Sequence, residues 1–524
     1  MSIPIPLSTI FLAGTVAIAL QAVWRYQQKV TKNAGTPGMK LIISNTRQIM
    51  AIMPVFKIPF TRDWMFNIGL SWWGNHNYDI FEKYGQDIIS AVSVDGAPLC
   101  YLLADAEAIQ EVLVNRTRFP KPIETYKILE LFGRNLVTTE GDDWKVHRKI
   151  TAPSFSEKSN KMVCEETVTA MEGLFELWKG QKSVVCSDFT ETTIKLALIV
   201  ICGAGFGMRV PMLAQDVPPG HEMSFKSAVE LVSDGIQIKV TLPDFAMKLT
   251  KYTARVSAGF AELRKYMVEM IQDRANSYQN YNDLFSSLLA ANAHDSEGLK
   301  LTDDEVIGNI FIFLIAGHET TAHTLAFAAA LLALYPDVQE KLYEFICTHV
   351  SNPSGAPTYN EVPQLTYVSA VFNETLRLYP PVTLMPKTSA EDTTLRTVTT
   401  KGTPVTVPIP KGSILHLISS ALHTNPRYWA EPNEFKPERF LGNWPKHAFI
   451  PFSGGARSCI GRRFAEIEGV VALSMLIRNY RVTITDDPRF AGETFEERKA
   501  RLFKMHIVIT QTPESIPVTF TRRT

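Results

Sequence analysis

The chain has 524 residues, and its 53 basic and 53 acidic side chains cancel. That balance excludes the basic footprint of a nucleic-acid-binding protein and gives no preference for acidic substrates. Its cysteines (Cys100, Cys164, Cys186, Cys202, Cys347 and Cys459) are scattered with no C-x-x-C pair, which argues against a disulfide scaffold and for reduced thiols facing the cytosol.

From Ile3 to Trp24 the chain is mostly apolar and uncharged, with Arg25, Lys29 and Lys32 after it and nothing basic before it. Roughly 20 such residues span a bilayer core, and the basic flank keeps the bulk of the chain cytoplasmic. A cleaved signal peptide is the alternative, with Ala17 and Ala19 imitating its cleavage site; the missing basic n-region argues against it. Residues 1–24 are therefore read as a membrane anchor, 25–40 as a short basic linker with a weak Thr36-Pro37-Gly38 hinge, and 41–524 as one domain. Residues 41–114 mix helical and alternating patterns. Ile88–Val94, Asp95-Gly96 and Pro98–Leu103 read as a β-hairpin around an Asp-Gly turn, followed by a helix from about Asp105 to Leu113. Residues 116–143 lack periodicity. On the helix that follows, Trp144 and Arg148 are i, i+4 neighbours, and an indole N–H beside a guanidinium is a donor pair for a carboxylate. Alone, such a pair is an ordinary feature of a helix surface.

Gly203-Ala-Gly205-Phe-Gly207 imitates a dinucleotide fingerprint, but Met208 stands where its last glycine belongs and the preceding residues read as helix, not strand. With no other glycine-rich phosphate loop, a flavin or nicotinamide domain is not expected in this chain. Thr302-Asp-Asp-Glu305 is a capping box. The helix it starts runs to Tyr335, where Pro336 stops it, a length of ~30 residues or about 45 Å. It is apolar all round except for His318-Glu319-Thr320-Thr321-Ala322-His323-Thr324 at its middle. Ionisable groups at a bilayer centre cost several kcal/mol, which makes a second membrane span expensive. A helical Thr hydroxyl can bond back to the i−4 carbonyl and disturb the ladder. Further on, Glu374 and Arg377 share one face of a helix ended by Pro380-Pro381 and form an ion pair.

The last motif is Phe452-Ser-Gly-Gly455-Ala-Arg457-Ser-Cys459-Ile-Gly461, at the mouth of an apolar, helix-like segment that continues to about Tyr480. Glycines let the backbone approach a flat ligand and adopt turns that a Cβ forbids. A cysteine at a helix N-terminus is favoured as thiolate. One lone thiolate suits a metal carried by a macrocycle; zinc or an iron–sulfur cluster would demand more protein ligands. A buried cysteine in a glycine-rich turn is the plain alternative. The pattern Phe-x-x-Gly-x-Arg-x-Cys-x-Gly, complete at Phe452, Gly455, Arg457, Cys459 and Gly461, resembles the haem-binding loop of the cytochrome P-450 superfamily. Ala316-Gly317-His318-Glu319-Thr320-Thr321 resembles the oxygen-activation motif of the same family. Glu374-x-x-Arg377 together with Phe435-Lys-Pro-Glu-Arg439-Phe440 resembles its buried ion-pair network.

This resemblance implies a fold that is mainly α with a small β region, a single haem domain behind an N-terminal transmembrane helix. It implies haem b, held between the 302–335 helix and the cysteine loop with Cys459 as axial thiolate. Phe452, Arg457 and Gly461 would complete the loop, and Trp144 and Arg148 would reach a haem propionate. Lys387 stands where many relatives place a propionate-binding arginine, keeping the charge but losing the bidentate fork. Thr320 and Glu319 would deliver protons, Gly317 would make room for oxygen and substrate, and His318 and His323 are not expected to bind iron. Glu374, Arg377 and Arg439 would be structural.

The implied partners are an NADPH-dependent flavoprotein reductase, with cytochrome b5 as a further electron donor, O2, and a lipophilic small molecule. Lys145, Lys149, Arg462 and Arg463 either steer the reductase or form a solvated face. The implied place is the endoplasmic reticulum membrane, single-pass, with the catalytic domain cytosolic and the sequons at Asn115 and Asn373 unused. The implied reaction converts R–H, O2 and two electrons to R–OH and water. Ile310, Phe311, Phe313, Leu314 and Ile315, with Leu502, Phe503, Met505 and Ile507 of the C-terminal arm, suggest an apolar pocket. Trp144 to Phe155 is similar to fungal members of the family, which favours a terpenoid-like substrate of secondary metabolism over fatty acids or aromatic xenobiotics. A reductase-independent isomerase or dehydratase, and a non-catalytic sensor or lipid-binding protein, are the rival functions. The retained Glu319–Thr320 pair argues against both.

Overall fold

Thr302 and Glu305 each satisfy the other's backbone N–H, and the helix they start runs Asp303–Leu334 in the computed structural model, which describes residues 7–41, 44, 77–208, 210–212, 217–276, 283–293, 300–507 and 509–523. Tyr335 ends this central helix and Pro336 opens the next one, Pro336–His349. Among the described residues the central helix is the only one long and apolar enough to cross a membrane. Because 72% of its apolar window is buried in the protein, it is a core helix.

The described strands are β1 (Gly38–Leu41), β2 (Ile88–Ser93), β3 (Cys100–Leu103), β4 (Ser183–Cys186), β5 (Leu384–Thr388), β6 (Thr393–Val398), β7 (Pro404–Ile409), β8 (Ile414–Ile418), β9 (Tyr480–Ile484), β10 (Met505–Ile507), β11 (Gln511–Pro513) and β12 (Val518–Arg522). The chain divides into two compact units. The first holds Met1–Pro122, Val382–Asn433 and Pro445–Ser458; the second holds Ile123–Pro381, Glu434–Trp444 and Cys459–Thr524.

The first unit carries a five-stranded sheet in the order β1-β2-β3-β8-β5, parallel at β1/β2 and β3/β8 and antiparallel elsewhere. Its buried face is lined by Met39, Phe81, Ile89, Leu102 and Ile418. Helix Ala106–Val114 follows β3, capped by the Asp105 carboxylate, which accepts from the N–H groups of Glu107 and Ala108. Asp105 also accepts from Arg427 Nη2 at 2.8 Å, and Arg427 pairs with Asp87 at 3.2 Å, so one guanidinium holds the strand ends together. The expected hairpin forms, but pairing stops at Ala91↔Cys100. Val92 and Ser93 pair with β1 instead, and Pro98 has no N–H to offer a ladder, so Asp95-Gly96 lies in a long loop and not in a two-residue turn.

The expected linker 25–40 is a second correction. The first described helix runs Leu7–Lys32, past the end of the expected anchor, since Gln27, Gln28 and Lys29 are good helix formers. It stops where Ala34 and Gly35 take positive φ, and β1 starts at Gly38. Lys29 Nζ donates to the Ser93 carbonyl at 2.9 Å and Asn33 Nδ2 to Ser90 Oγ at 3.0 Å, so this stretch is packed onto the sheet. Residues 1–6 of the expected anchor and 45–76 of the mixed 41–114 segment lie outside the described residues.

In the second unit the central helix packs against helices Phe189–Val200, Thr366–Leu378 and Arg462–Asn479. An antiparallel sheet ordered β4-β12-β9 and the hairpin β10/β11 complete the unit. The residues before the glycine run are helical and the run ends the helix, as expected: Phe189–Val200 widens into a π-type turn at Ile201–Gly205, and Gly207 leaves the helix with φ +61°. The aperiodic 116–143 stretch contains a short helical segment, Ile123–Leu129, and is pinned further on. Gly133 has φ +138°, and a Cβ there would stand 2.0 Å from the Asp304 carbonyl oxygen. Asn309 Oδ1 then accepts from Leu136 N–H at 2.9 Å.

Candidate active site

At its middle the central helix exposes a narrow stripe. Ala316 is exposed and Phe313, Gly317, Glu319 and Thr320 are half-buried, while Ile312, Leu314, Ile315, His318 and Thr321 are buried; Phe313, Ala316, Gly317 and Thr320 form the stripe. The spacing of three and four places these four on one face. Phe313 is steadied by an edge-on contact with Phe155, ring centroids 5.3 Å apart. Thr320 Oγ1 donates to the Ala316 carbonyl at 2.9 Å and Thr324 Oγ1 to the Thr320 carbonyl at 2.8 Å, so two side chains compete for the ladder's acceptors at this turn. Gly317 does not open this face. A Cβ built on it meets the Ile201 side chain at 3.0 Å, so its smallness admits the neighbouring π-type turn.

Glu319 is half-buried, and its Oε2 accepts from Thr510 Oγ1 at 3.4 Å. Burial pushes its carboxyl up to about 7; Asp234 pushes the same way and Thr510 opposes. The Ser233 hydroxyl lies close enough to lower it too, though off hydrogen-bonding geometry. His318 donates Nδ1–H to the Leu314 carbonyl at 2.8 Å, and His323 Nδ1 meets Thr510 Oγ1 at 3.0 Å. Burial lowers both imidazoles, His323 to about 3, so both are neutral near pH 7.

Cys459 is exposed and lies three positions before the first residue of helix Arg462–Asn479, whose N-cap is Gly461. The protein packed behind the sulfur raises its thiol; the Gly461 N–H and the charges of Arg148 and Arg462 pull it down. Arg148 and Trp144 lie on helix Gly141–Thr151, with Trp144 buried. Phe452, Arg457 and Lys387 belong to the first unit, where Gly455–Arg457 form a single tight turn and Lys387 is buried on β5. Gly455 has φ +64°, and a Cβ on it would lie 2.6 Å from the Leu113 carbonyl. The loop's glycine is thus required by its turn and by the end of helix Ala106–Val114.

The ion-pair network is assembled in full. Glu374 accepts from Arg377 Nε at 2.7 Å and Nη2 at 2.9 Å, from Arg439 Nε at 2.9 Å and from the Lys436 N–H at 2.8 Å. Two of the basic residues read as either steering a reductase or forming a solvated face have acidic neighbours: Lys145 pairs with Asp142 at 2.6 Å and Arg462 with Glu466 at 2.8 Å. Several residues expected to line a pocket are core instead. Ile310, Phe311, Leu314, Ile315, Leu502 and Phe503 are buried, Phe503 stacking on Tyr379 at 4.6 Å. Of that set only Phe313 and Met505 remain partly open, and the Ile507 side chain lies outside the described residues. Thr510 and Ser233 belong to no motif, and no spacing in the sequence marks them.

The donor set fits haem. Among the described residues no group of three or more His, Cys, Asp or Glu side chains could hold a bare metal ion. A metal on the Cys459 sulfur would therefore bring its own equatorial ligands, as a porphyrin does.

Fold and site together define a haem-thiolate oxygenase class, and the comparisons with known proteins agree. The sequence profile of the Cytochrome P450 family matches residues 63–499. "Cytochrome P450 monooxygenase 124" of Postia placenta is 48% identical over 87% of this chain and 89% of its own length. "Cyclooctat-9-en-7-ol 5-monooxygenase" of Streptomyces melanosporofaciens is 29% identical over 74% of this chain and 81% of its own length. Among solved structures, the cytochrome P450DA heme domain superposes with a TM-score of 0.70, covering 85% of this chain and 92% of that one at 23% identity, a likeness of fold. The chain belongs to the cytochrome P450 family. It is a P450 monooxygenase whose cofactor is haem with a cysteine thiolate on the iron.

Proposed function

We propose that this enzyme hydroxylates a lipophilic, terpenoid-like compound, with Cys459 as the iron ligand and Glu319 and Thr320 as proton carriers. The observation that carries the substrate reading is the open stripe of the central helix, whose side chains before Thr320, those of Phe313 and Ala316, are apolar. A site of that make-up selects by apolar contact. The bacterial relative named for cyclooctat-9-en-7-ol supports an alicyclic substrate. Bound haem supplies O2 activation and C–H insertion. The reaction, R–H + O2 + 2 e⁻ + 2 H⁺ → R–OH + H2O, needs two protons, and the chain's own part is to deliver them. Thr320 presents a hydroxyl on the open face, and Glu319 beside it holds an exchangeable proton near neutral pH. The electrons come from an NADPH-dependent flavoprotein reductase. Exposed Leu20, Val23 and Trp24 on helix Leu7–Lys32 support a bilayer anchor, with the endoplasmic reticulum membrane as its place.

Co-expression with a microsomal reductase and separate feeding of di- and triterpenes, fatty acids and polycyclic aromatics tests the substrate. Oxygenated terpenes are expected; oxidation confined to the other two classes would overturn the terpenoid reading.

A pH dependence follows from Glu319. Its carboxyl is raised, so it keeps its proton below about 7 and loses it above. Product formed per NADPH is expected to fall as pH rises through that value, and Glu319→Gln should lack this limb. The same limb in the variant would contradict the assignment.

A further inference from the structure

We propose that Thr510, on the C-terminal arm and outside every motif, is a positioning residue whose hydroxyl joins Glu319 and His323 into one buried string and so orients the Glu319 carboxyl. The inference rests on reading Glu319 as the proton carrier. Thr510 is 4% exposed, between two groups of the central helix one turn apart: His323 Nδ1 at 3.0 Å and Glu319 Oε2 at 3.4 Å. A hydroxyl has one proton to give and two lone pairs with which to accept. It can therefore serve both neighbours only in a fixed order. With Glu319 ionised, His323 Nδ1–H donates to Thr510 and Thr510 donates to the carboxylate. With Glu319 protonated, the carboxyl can donate to Thr510, Thr510 donates to Nδ1, and the imidazole carries its proton on Nε2.

His323 takes part in both orders without gaining charge. Burial, with the added push of His318 and His506, holds it far below its ordinary value. It can therefore switch tautomer and stay neutral. The other charged group facing the string is Asp234, on helix Phe225–Thr241, which pushes Glu319 up; burial raises the Asp234 carboxyl as well, with His506 on β10 opposing. Ser233 of the same helix faces the carboxyl from that side. At 3.4 Å the Thr510–Glu319 contact is longer than the ~2.7–2.8 Å usual for O–H···O. It therefore has room to shorten when the carboxylate forms.

The test is a titration of the Glu319 carboxyl itself, read by infrared difference spectra of the haem-loaded protein against Glu319→Gln, with no reductase present. In the wild type the neutral carboxyl band should disappear with a midpoint near pH 7. In Thr510→Val, which cannot donate, the midpoint should rise by roughly half to one unit. Thr510→Ser should restore the wild-type midpoint, which a purely steric role for the residue would not require. Should Thr510→Val fail to load haem, Thr510→Ala is read in its place with the same expected rise. An unmoved midpoint in the variant lacking the hydroxyl, or an equal rise in Thr510→Ser, overturns the proposal. Either result can stand beside an intact pH limb of turnover, so failure of the string is distinguishable from failure of Glu319 as proton carrier.

Discussion

Glu374→Ala is expected to lower stability by about 3–5 kcal/mol, the usual cost of breaking a buried ionic set from one side. Glu374 and Arg377 are both 0% exposed, and Glu374 is the acceptor on which two guanidiniums and the Lys436 N–H converge. Without it the Arg377 and Arg439 charges remain packed together with the Glu434 carbonyl as one shared acceptor. Total stabilities of ~5–15 kcal/mol leave little after such a loss, so poor haem loading should accompany it. Urea unfolding of the variant beside Glu176→Ala is the measurement. The exposed Lys179–Glu176 pair, 2.8 Å apart, should cost at most about 1 kcal/mol. Equal, small losses for the two variants would mean that the network does not hold the fold.

Thr320→Ala is expected to bind substrate normally while passing most of its reducing equivalents to hydrogen peroxide. Losing positioned acid–base help commonly costs 10²- to 10⁴-fold, and an effect of that order on product formation is expected. The change removes the one side-chain hydroxyl on the open stripe of the central helix, together with its bond to the Ala316 carbonyl. Unchanged product per NADPH would remove Thr320 from the mechanism and leave Glu319 without a route onto that face.

What could be read in the sequence depended on the range of the interaction. The central helix was legible from end to end, because its capping box and terminating proline are local signals. Its all-round apolarity correctly indicated burial and for that reason could not say which face stays open. Ile310, Phe311, Phe313, Leu314 and Ile315 are alike in apolarity, yet Ile310, Phe311, Leu314 and Ile315 are core, whereas Phe313 and Ala316 are open. Glu374 and Arg377 were legible as a helix pair, but Arg439 joins them only through the fold. The neighbouring strands β3 and β8 lie more than three hundred residues apart in sequence, so the β region could be expected but its order could not. Gly317 looked like space for a ligand and is space for Ile201. Thr510 carried no signal, since a single hydroxyl acquires its role only from what the chain brings beside it.

The central claim is that Cys459 holds haem as its thiolate ligand, and the spectrum of the reduced, carbon monoxide-bound protein tests it most directly. The wild type should show the strongly red-shifted Soret band of thiolate-ligated haem, and Cys459→Ser and Cys459→His should both lose it. Survival of that band in either variant would contradict the account.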